Sequence, residues 1–243
     1  MIDAAWRAWR LLELSNLRVS IKCCSLCGKS LIVRLANNPI SVRCIHCRSS
    51  GIHMSIVRVL KSLNSDFKNL AVYELSSRGP LFNFLKQRAG QLSFSEFFDD
   101  IPRGSFRGHV QCQDVQQLTF ANSSFDLCTS TEVFEHVPDD RRGFSEIYRV
   151  LCSGGRFIFT VPLTETAVTV ERAVVADGVI QHLLEPEYHG DVVRGFGKVL
   201  CYRNYGWDIL ERLREAGFRQ ARLVPPDEKA WWGLGVKVVV AEK

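Results

Sequence analysis

Two sets of residues in this 243-residue sequence have the types and spacing to do chemistry, and the more regular set is sulfur. Cys24-x-x-Cys27 is followed, after sixteen residues, by Cys44-x-x-Cys47. Two such pairs can close a tetrahedron of thiolates around one zinc ion. A four-cysteine site has no open position, so the expected role is structural, folding a region too small to fold alone. Cys23 replaces Cys24 if the first turn is one residue looser, and His46 is a further potential ligand; spacing favours Cys24 and leaves His46 at the surface. Gly28 and Gly51, each shortly after a pair, let the chain turn tightly with its amides aimed at sulfur. The other four cysteines are scattered singly, which argues against a disulfide framework.

The second set is acids and a histidine at the ends of apolar runs: Glu74, Glu96, Asp114 and the pair Glu135-His136. Glu74 opens Glu74-Leu-Ser76-Ser77-Arg78-Gly79-Pro80, whose small residues allow a nucleoside to approach the backbone. Glu96 follows Glu74 by 22 residues, near the ~20-residue offset at which nucleotide folds present a carboxylate to ribose hydroxyls. Asp99 and Asp100 compete for that role, and a solvated acidic turn is the plainer alternative. His136 beside Glu135 can serve as general base or line a pocket. Alternatively both tie down the next helix, whose N-terminus Asp139 and Asp140 suit.

These residues must be held by alternating elements. Apolar runs at residues 70–75, 91–96, 108–112, 125–131 and 156–161 read as strands, and 81–89 and DRRGFSEIYRVL (140–151) read as helices. Gly154-Gly155 turns the chain into the 156–161 strand. That order needs a parallel sheet. A helix at 207–216 precedes strands at 218–224 and 235–241, which lack a long helix between them and so pair antiparallel at the edge. A helix at 52–63 joins the cysteine region to this body. The expected division is 1–66, a basic segment with the zinc module and linking helix, and 67–243. Residues 163–205 are too long for an ordinary linker.

The run from Asp114 to Pro162, DVQQLTFANSSFDLCTSTEVFEHVPDDRRGFSEIYRVLCSGGRFIFTVP, is similar almost residue for residue to the second half of the class I S-adenosylmethionine (SAM) dependent methyltransferase domain. The resemblance extends over residues 70–243. It implies a Rossmann-like seven-stranded α/β methyltransferase sheet with a reversed final strand, and SAM as cofactor. By resemblance Asp114 accepts from the adenine amine with Val115 beside the ring, and Glu135-His136 matches the Glu-His pair of many small-molecule methyltransferases. The family's first loop is acid-x-Gly-x-Gly-x-Gly; only Glu74 and Gly79 match, and Ser76 and Ser77 stand for the missing glycines. A serine hydroxyl there can donate to the carboxylate of SAM.

The expected acceptor is a hydroxyl of a small molecule or glycan, covered by the 163–205 insertion, where Tyr188, His189 and Asp191 are candidate contacts. Trp231-Trp232 either stack on a ligand or pack over the sheet edge. Two alternatives stand beside this reading. One is an RNA methyltransferase gripping through a basic head, since residues 1–70 hold 11 Lys+Arg against 3 Asp+Glu and the rest 20 against 23. The other is a nucleoside-binding or scaffolding domain without catalysis. A nicotinamide dehydrogenase is disfavoured, because the loop lacks the glycines that cradle a pyrophosphate. No apolar run approaches the ~20 residues of a membrane span, and Asp3, Arg7 and Arg10 stand where a signal peptide is apolar, so a cytoplasmic protein is expected. Oligomeric state has no signature here.

Overall fold

The computed structural model describes residues 14–63, 66–191 and 197–243. Asp3, Arg7 and Arg10, and the side chain of Asp191, lie outside them. The chain divides into two compact units, the first taking residues up to Phe67 together with Arg78–Arg88 and Val224–Val238, the second taking the remainder. Two segments distant in sequence thus join the first unit, which no local pattern announces.

In the first unit, β1 (Arg18–Cys23), β2 (Ser30–Arg34) and β3 (Val42–Cys44) form an antiparallel sheet in chain order. Helix α1 (Gly51–Leu63) buries Ile52, Met54, Ile56, Val57, Val59 and Leu60 along one broad face. Helix α2 (Gly79–Lys86) sets Phe84 edge-on against Phe67 at 5.7 Å. The 224–238 segment is tied to α1 by Arg58 donating to the Pro225 carbonyl (2.8 Å) and by the Val236 amide donating to the Ser55 hydroxyl (3.1 Å). Trp231 is buried here, and Trp232 lies 5.7 Å from the Arg34 guanidinium.

The second unit is built on one sheet. Its strands are β4 (Ala71–Glu74), β5 (Gln91–Glu96), β6 (Phe106–Arg107), β7 (Val110–Cys112), β8 (Phe125–Thr131) and β9 (Leu151–Thr160), closed by the C-terminal strands described below. Helix α3 (Asp140–Val150) connects β8 to β9. The 163–205 segment adds short pairs: β10 (Val170–Glu171) with β15 (Arg203–Asn204), β11 (Ala173–Ala176) with β12 (Val179–His182), and β13 (Glu187–Asp191) with β14 (Gly197–Cys201). Helix α4 (Ile209–Glu215) precedes β16 (Gln220–Val224), and β17 (Val238–Glu242) ends the chain.

The sheet order is β16-β17-β9-β8-β4-β5-β7-β6. β5, β4, β8, β9 and β7 pair in parallel, whereas β17 runs antiparallel to β9. This is the Rossmann-like methyltransferase arrangement with its reversed last strand; the two-residue β6 adds an eighth, edge strand. β9 begins at Leu151, five residues before the expected Arg156, and the irregular stretch is taken up by a register shift against β8 between Phe125 and Leu127. The core joins Phe134, Phe144, Phe157 and Phe159, with Phe134 stacked on Phe144 at 4.5 Å. Gly143 on α3 permits that stack, since a Cβ there would sit 3.0 Å from the Phe134 ring. Among the described residues no helix is long and apolar enough to cross a membrane.

Candidate active site and thiolate cluster

The four cysteines Cys24, Cys27, Cys44 and Cys47 bring their sulfurs within 4.8 Å of one another. The closest pairs are Cys24–Cys47 at 3.6 Å and Cys27–Cys44 at 3.7 Å. Zinc bonded to sulfur at ~2.3 Å in a tetrahedron needs separations of about 3.8 Å, so the donor set fits that ion. The Ser49 hydroxyl lies 3.3 Å from Cys24 Sγ and 3.2 Å from Cys47 Sγ, a partner that fixes the sulfurs from outside. Cys23 is exposed against Ser30, and His46 is exposed as well. The two turns are built alike, with the amides of Gly28 and Arg48 donating to the carbonyls of Cys24 and Cys44 at 2.9 Å. Arg48, at φ +60°, occupies the second left-handed position expected for a glycine. Gly51 instead starts α1 in a crowded place, where a Cβ would meet the Leu234 and Pro39 carbonyls at 2.7 and 2.9 Å.

In the second unit a cavity of about 660 Å³ lies at the carboxyl ends of the parallel strands. Leu75 and Ser76 follow β4, Glu96 and Phe97 end β5, Gln113 to Gln116 follow β7, and Thr131 to Val133 end β8. β5 and β7 extend to one side of β4, and β8 and β9 to the other. That reversal leaves a crevice above the strand ends, the ordinary ligand position of open α/β sheets. Ile180, His182, Tyr188, Lys198, Leu200 and Tyr202 of the 163–205 insertion make the facing wall.

Ser76, Glu96, Asp114, Val115 and His136 all line this cavity, as does Asp99, whereas Asp100 pairs with Arg107 at the surface. Glu96 Oε1 accepts from the Ser77 amide (2.8 Å), the Ser77 hydroxyl (2.9 Å) and the Ser76 hydroxyl (3.3 Å). The serines thus fasten their loop to the end of β5. Asp114 accepts from the Gln116 amide at 2.9 Å and its side chain at 3.0 Å, while Gln116 accepts from the Asp139 amide. Asp139 in turn caps α3 through the Arg142 amide. Glu74 is outside the lining: it is buried at the end of the central strand β4 and accepts from the Thr129 hydroxyl. Burial pushes its carboxyl up to about 8, the Thr129 bond opposing and the Glu96 charge adding. Gly79, at φ +90°, belongs to the first unit and is also outside the lining.

At the β8 end, Glu135 caps nothing. It is 1 % exposed, and neither carboxylate oxygen has a hydrogen-bond partner. Burial, with the Glu132 charge, holds its carboxyl well above the ordinary value. His136 Nδ1 lies 2.8 Å from the Leu200 carbonyl, which can only accept, so Nδ1 carries a proton. Nε2 is 3.7 Å from Glu135 Oε1 and 3.2 Å from His189 Nδ1. The turn that carries the pair is bound by Arg203 of the insertion, whose guanidinium donates to the carbonyls of Phe134 (3.2 Å), Val137 and Pro138 (2.6 Å). Arg203 also meets Glu171 at 3.0 Å, and Asp140, placed by sequence at the helix start, is buried against Arg212 and Tyr205.

Three residues at this site escaped the sequence reasoning in whole or part. Glu132 lines the cavity in a left-handed conformation (φ +53°), strain of the kind concentrated at functional sites, and burial pushes its carboxyl up to about 7. Its only signal was being an acid just past a strand end. His189 was legible as a candidate contact but not as a neighbour of His136. Arg203 carried no signal.

Residues 99–159 match the family model described as a methyltransferase domain. The chain is 27% identical over 126 residues to 24-methylenesterol C-methyltransferase 2 of Arabidopsis thaliana, covering 51% of this chain and 32% of that protein. It is 36% identical over 52 residues to the ubiquinone biosynthesis O-methyltransferase of Coxiella burnetii, covering 21% and 22%. The chain therefore spans a third or less of the curated relatives it matches. A SAM-dependent methyltransferase structure from Mesorhizobium loti superposes with a TM-score of 0.49 at 16% identity, covering 78% of this chain and 98% of that one. The sheet order and the matched central segment together give the second unit a class I methyltransferase fold.

Proposed function

We propose that the protein is a SAM-dependent methyltransferase acting on a hydroxyl of a small molecule or glycan. The observation that carries this reading is one cavity at the switch point of the sheet, with Glu96 and Asp114 at one part of its wall and His136 at another. SAM, when bound, supplies a methyl group on a positively charged sulfur. Asp114 would accept from the adenine amine beside Val115, and Glu96 or Asp99 from the ribose hydroxyls. Ser76 and Ser77 would hold the loop against which the amino-acid end rests. Their bonds to Glu96 support this, because they fix the loop without the missing glycines.

In this reading the chain's work is mainly alignment of acceptor and cofactor, which can account for roughly 7–11 kcal/mol of barrier lowering. His136 and Glu135 are proposed to dock and activate the acceptor oxygen. Ile180, Tyr188 and Leu200 offer an apolar surface to the acceptor's body. Two relatives named for sterol C-methylation and for O-methylation in ubiquinone biosynthesis support a small-molecule acceptor over RNA. A zinc held by the four cysteines would have no part in the reaction, since four sulfurs would complete its coordination.

The test is calorimetric titration of the full chain with SAM and with S-adenosylhomocysteine, followed by labelled SAM in cell extracts. Micromolar binding and label transfer to a low-molecular-weight product are expected. Absence of binding of both nucleosides at millimolar concentration would overturn the reading.

A further inference from the structure

We propose that Glu135, His136 and His189 form a second metal site, separate from the thiolate cluster, which holds a divalent first-row transition ion at the acceptor end of the cavity. Three observations carry it. The first is where the ring nitrogens point. His136 Nδ1 donates to the Leu200 carbonyl, and His189 Nε2 lies 3.2 Å from Glu187 Oε1. Glu187 also accepts from the Asn204 side-chain amide at 3.3 Å and pairs with Arg172 at 3.3 Å, as a carboxylate does. Each ring thus turns one nitrogen outward to an oxygen, and the two remaining nitrogens face each other at 3.2 Å. This is the outer partnering that metal-bound histidines show.

The second is the orphan carboxylate. Glu135 Oε1 is buried, without a hydrogen-bond partner, and stands 3.7 Å from His136 Nε2 and 3.8 Å from His189 Nδ1. A proton shared by the two rings would satisfy the nitrogens and leave both Glu135 oxygens unpaired, because 3.7 Å is beyond a hydrogen bond. The third is size. A triangle with sides of 3.2, 3.7 and 3.8 Å has its centre about 2.1 Å from every corner, the bond length of imidazole nitrogen and carboxylate oxygen to zinc and similar ions. One cation thus satisfies all three atoms.

Two imidazoles and one carboxylate suit zinc, iron or manganese better than calcium or magnesium. Three protein ligands leave positions open, and His136 lines the cavity, so such an ion is available to a hydroxyl of an incoming molecule. The site goes beyond the methyltransferase reading and does not need it, since metal binding and SAM binding are measured separately.

The experiment is metal analysis of the full chain loaded with Co²⁺, with absorbance spectra at each equivalent. Two equivalents are expected: one with the intense charge-transfer bands of thiolate ligation, one with weak visible bands alone. His189→Ala should remove the second and keep the first, and Glu187→Gln should weaken the second about 10–100-fold. Cys24→Ser should remove the first and keep the second. A wild-type stoichiometry of one, or a second equivalent indifferent to both His189→Ala and Glu135→Gln, overturns the site. Calorimetry with SAM on the same samples keeps failure here distinct from failure of the methyltransferase reading.

Discussion

Asp114 and Glu74 are both acids at strand ends, yet their surroundings give them different work. Asp114 lines the cavity and is held by Gln116, and under the proposed function it accepts from the adenine amine. Asp114→Ala is expected to weaken SAM about 10–100-fold, the loss of one hydrogen bond to a charged group, with zinc content unchanged. Titration calorimetry with elemental analysis checks both halves; unaltered SAM affinity would remove Asp114 from the site. Glu74 is instead a buried carboxyl whose folded value, about 8, is above its ordinary 4.5. Below the ordinary value both folded and unfolded chains carry the proton, and folding is not penalised. As pH rises the unfolded chain loses the proton first, so stability falls across the window from 4.5 to about 8 and levels off above it. Glu74→Gln removes that slope. The variant should gain on the wild type between pH 5 and 8 by an amount on the order of a few kcal/mol, read from urea denaturation at the two pH values. Parallel pH profiles of the two proteins would show that Glu74 ionises normally.

At the scale of elements, the 163–205 insertion is more than a cover. Its strand β15 supplies Arg203, which holds the turn bearing Glu135 and His136 through three carbonyls and is itself countered by Glu171. Arg203→Met leaves the carbonyls of Phe134, Val137 and Pro138 without their donor, while Glu171 keeps Arg212 at 2.8 Å, and a buried acceptor left unsatisfied costs about 1–3 kcal/mol. Thermal unfolding measures that loss. Under the proposed function the same variant should lower kcat more than it raises KM, because the turn it releases carries the activating pair rather than the cofactor contacts. Tyr205→Phe is the milder comparison: Asp140 loses a 2.9 Å bond but keeps Arg212, so a cost of about 1–2 kcal/mol is expected.

At the scale of the molecule, the thiolate cluster ties β1–β3 to the start of α1 in a unit with a small core of its own. Metal bound only by the folded form stabilises it in proportion to affinity, so stripping the ion should unfold this unit. Hydrogen exchange resolved along the chain is expected to show Cys24→Ser losing protection over residues 18–60, and Cys23→Ser retaining it. Equal losses in the two variants would mean that Cys23 shares the site.

The sequence alone determined the strands and helices of the main sheet, though not β1–β3, β6 or β10–β15, and with them the reversed last strand, the four sulfurs and the acids at the ends of β5 and beyond β7. Each depends on periodicity or on neighbours within a few residues, and such signals survive in any arrangement of the remaining chain. Tertiary structure decided what those patterns could not. Glu74 turned inward and Glu96 took up the serines of a loop 20 residues before it. Arg48 rather than a glycine accepted the left-handed turn. His189 met His136 across 53 residues of chain, and Arg203 reached the Phe134 carbonyl across 69. Contacts at that separation depend on how an insertion folds back over the sheet, and a single side chain has no local pattern that records where its partner will arrive.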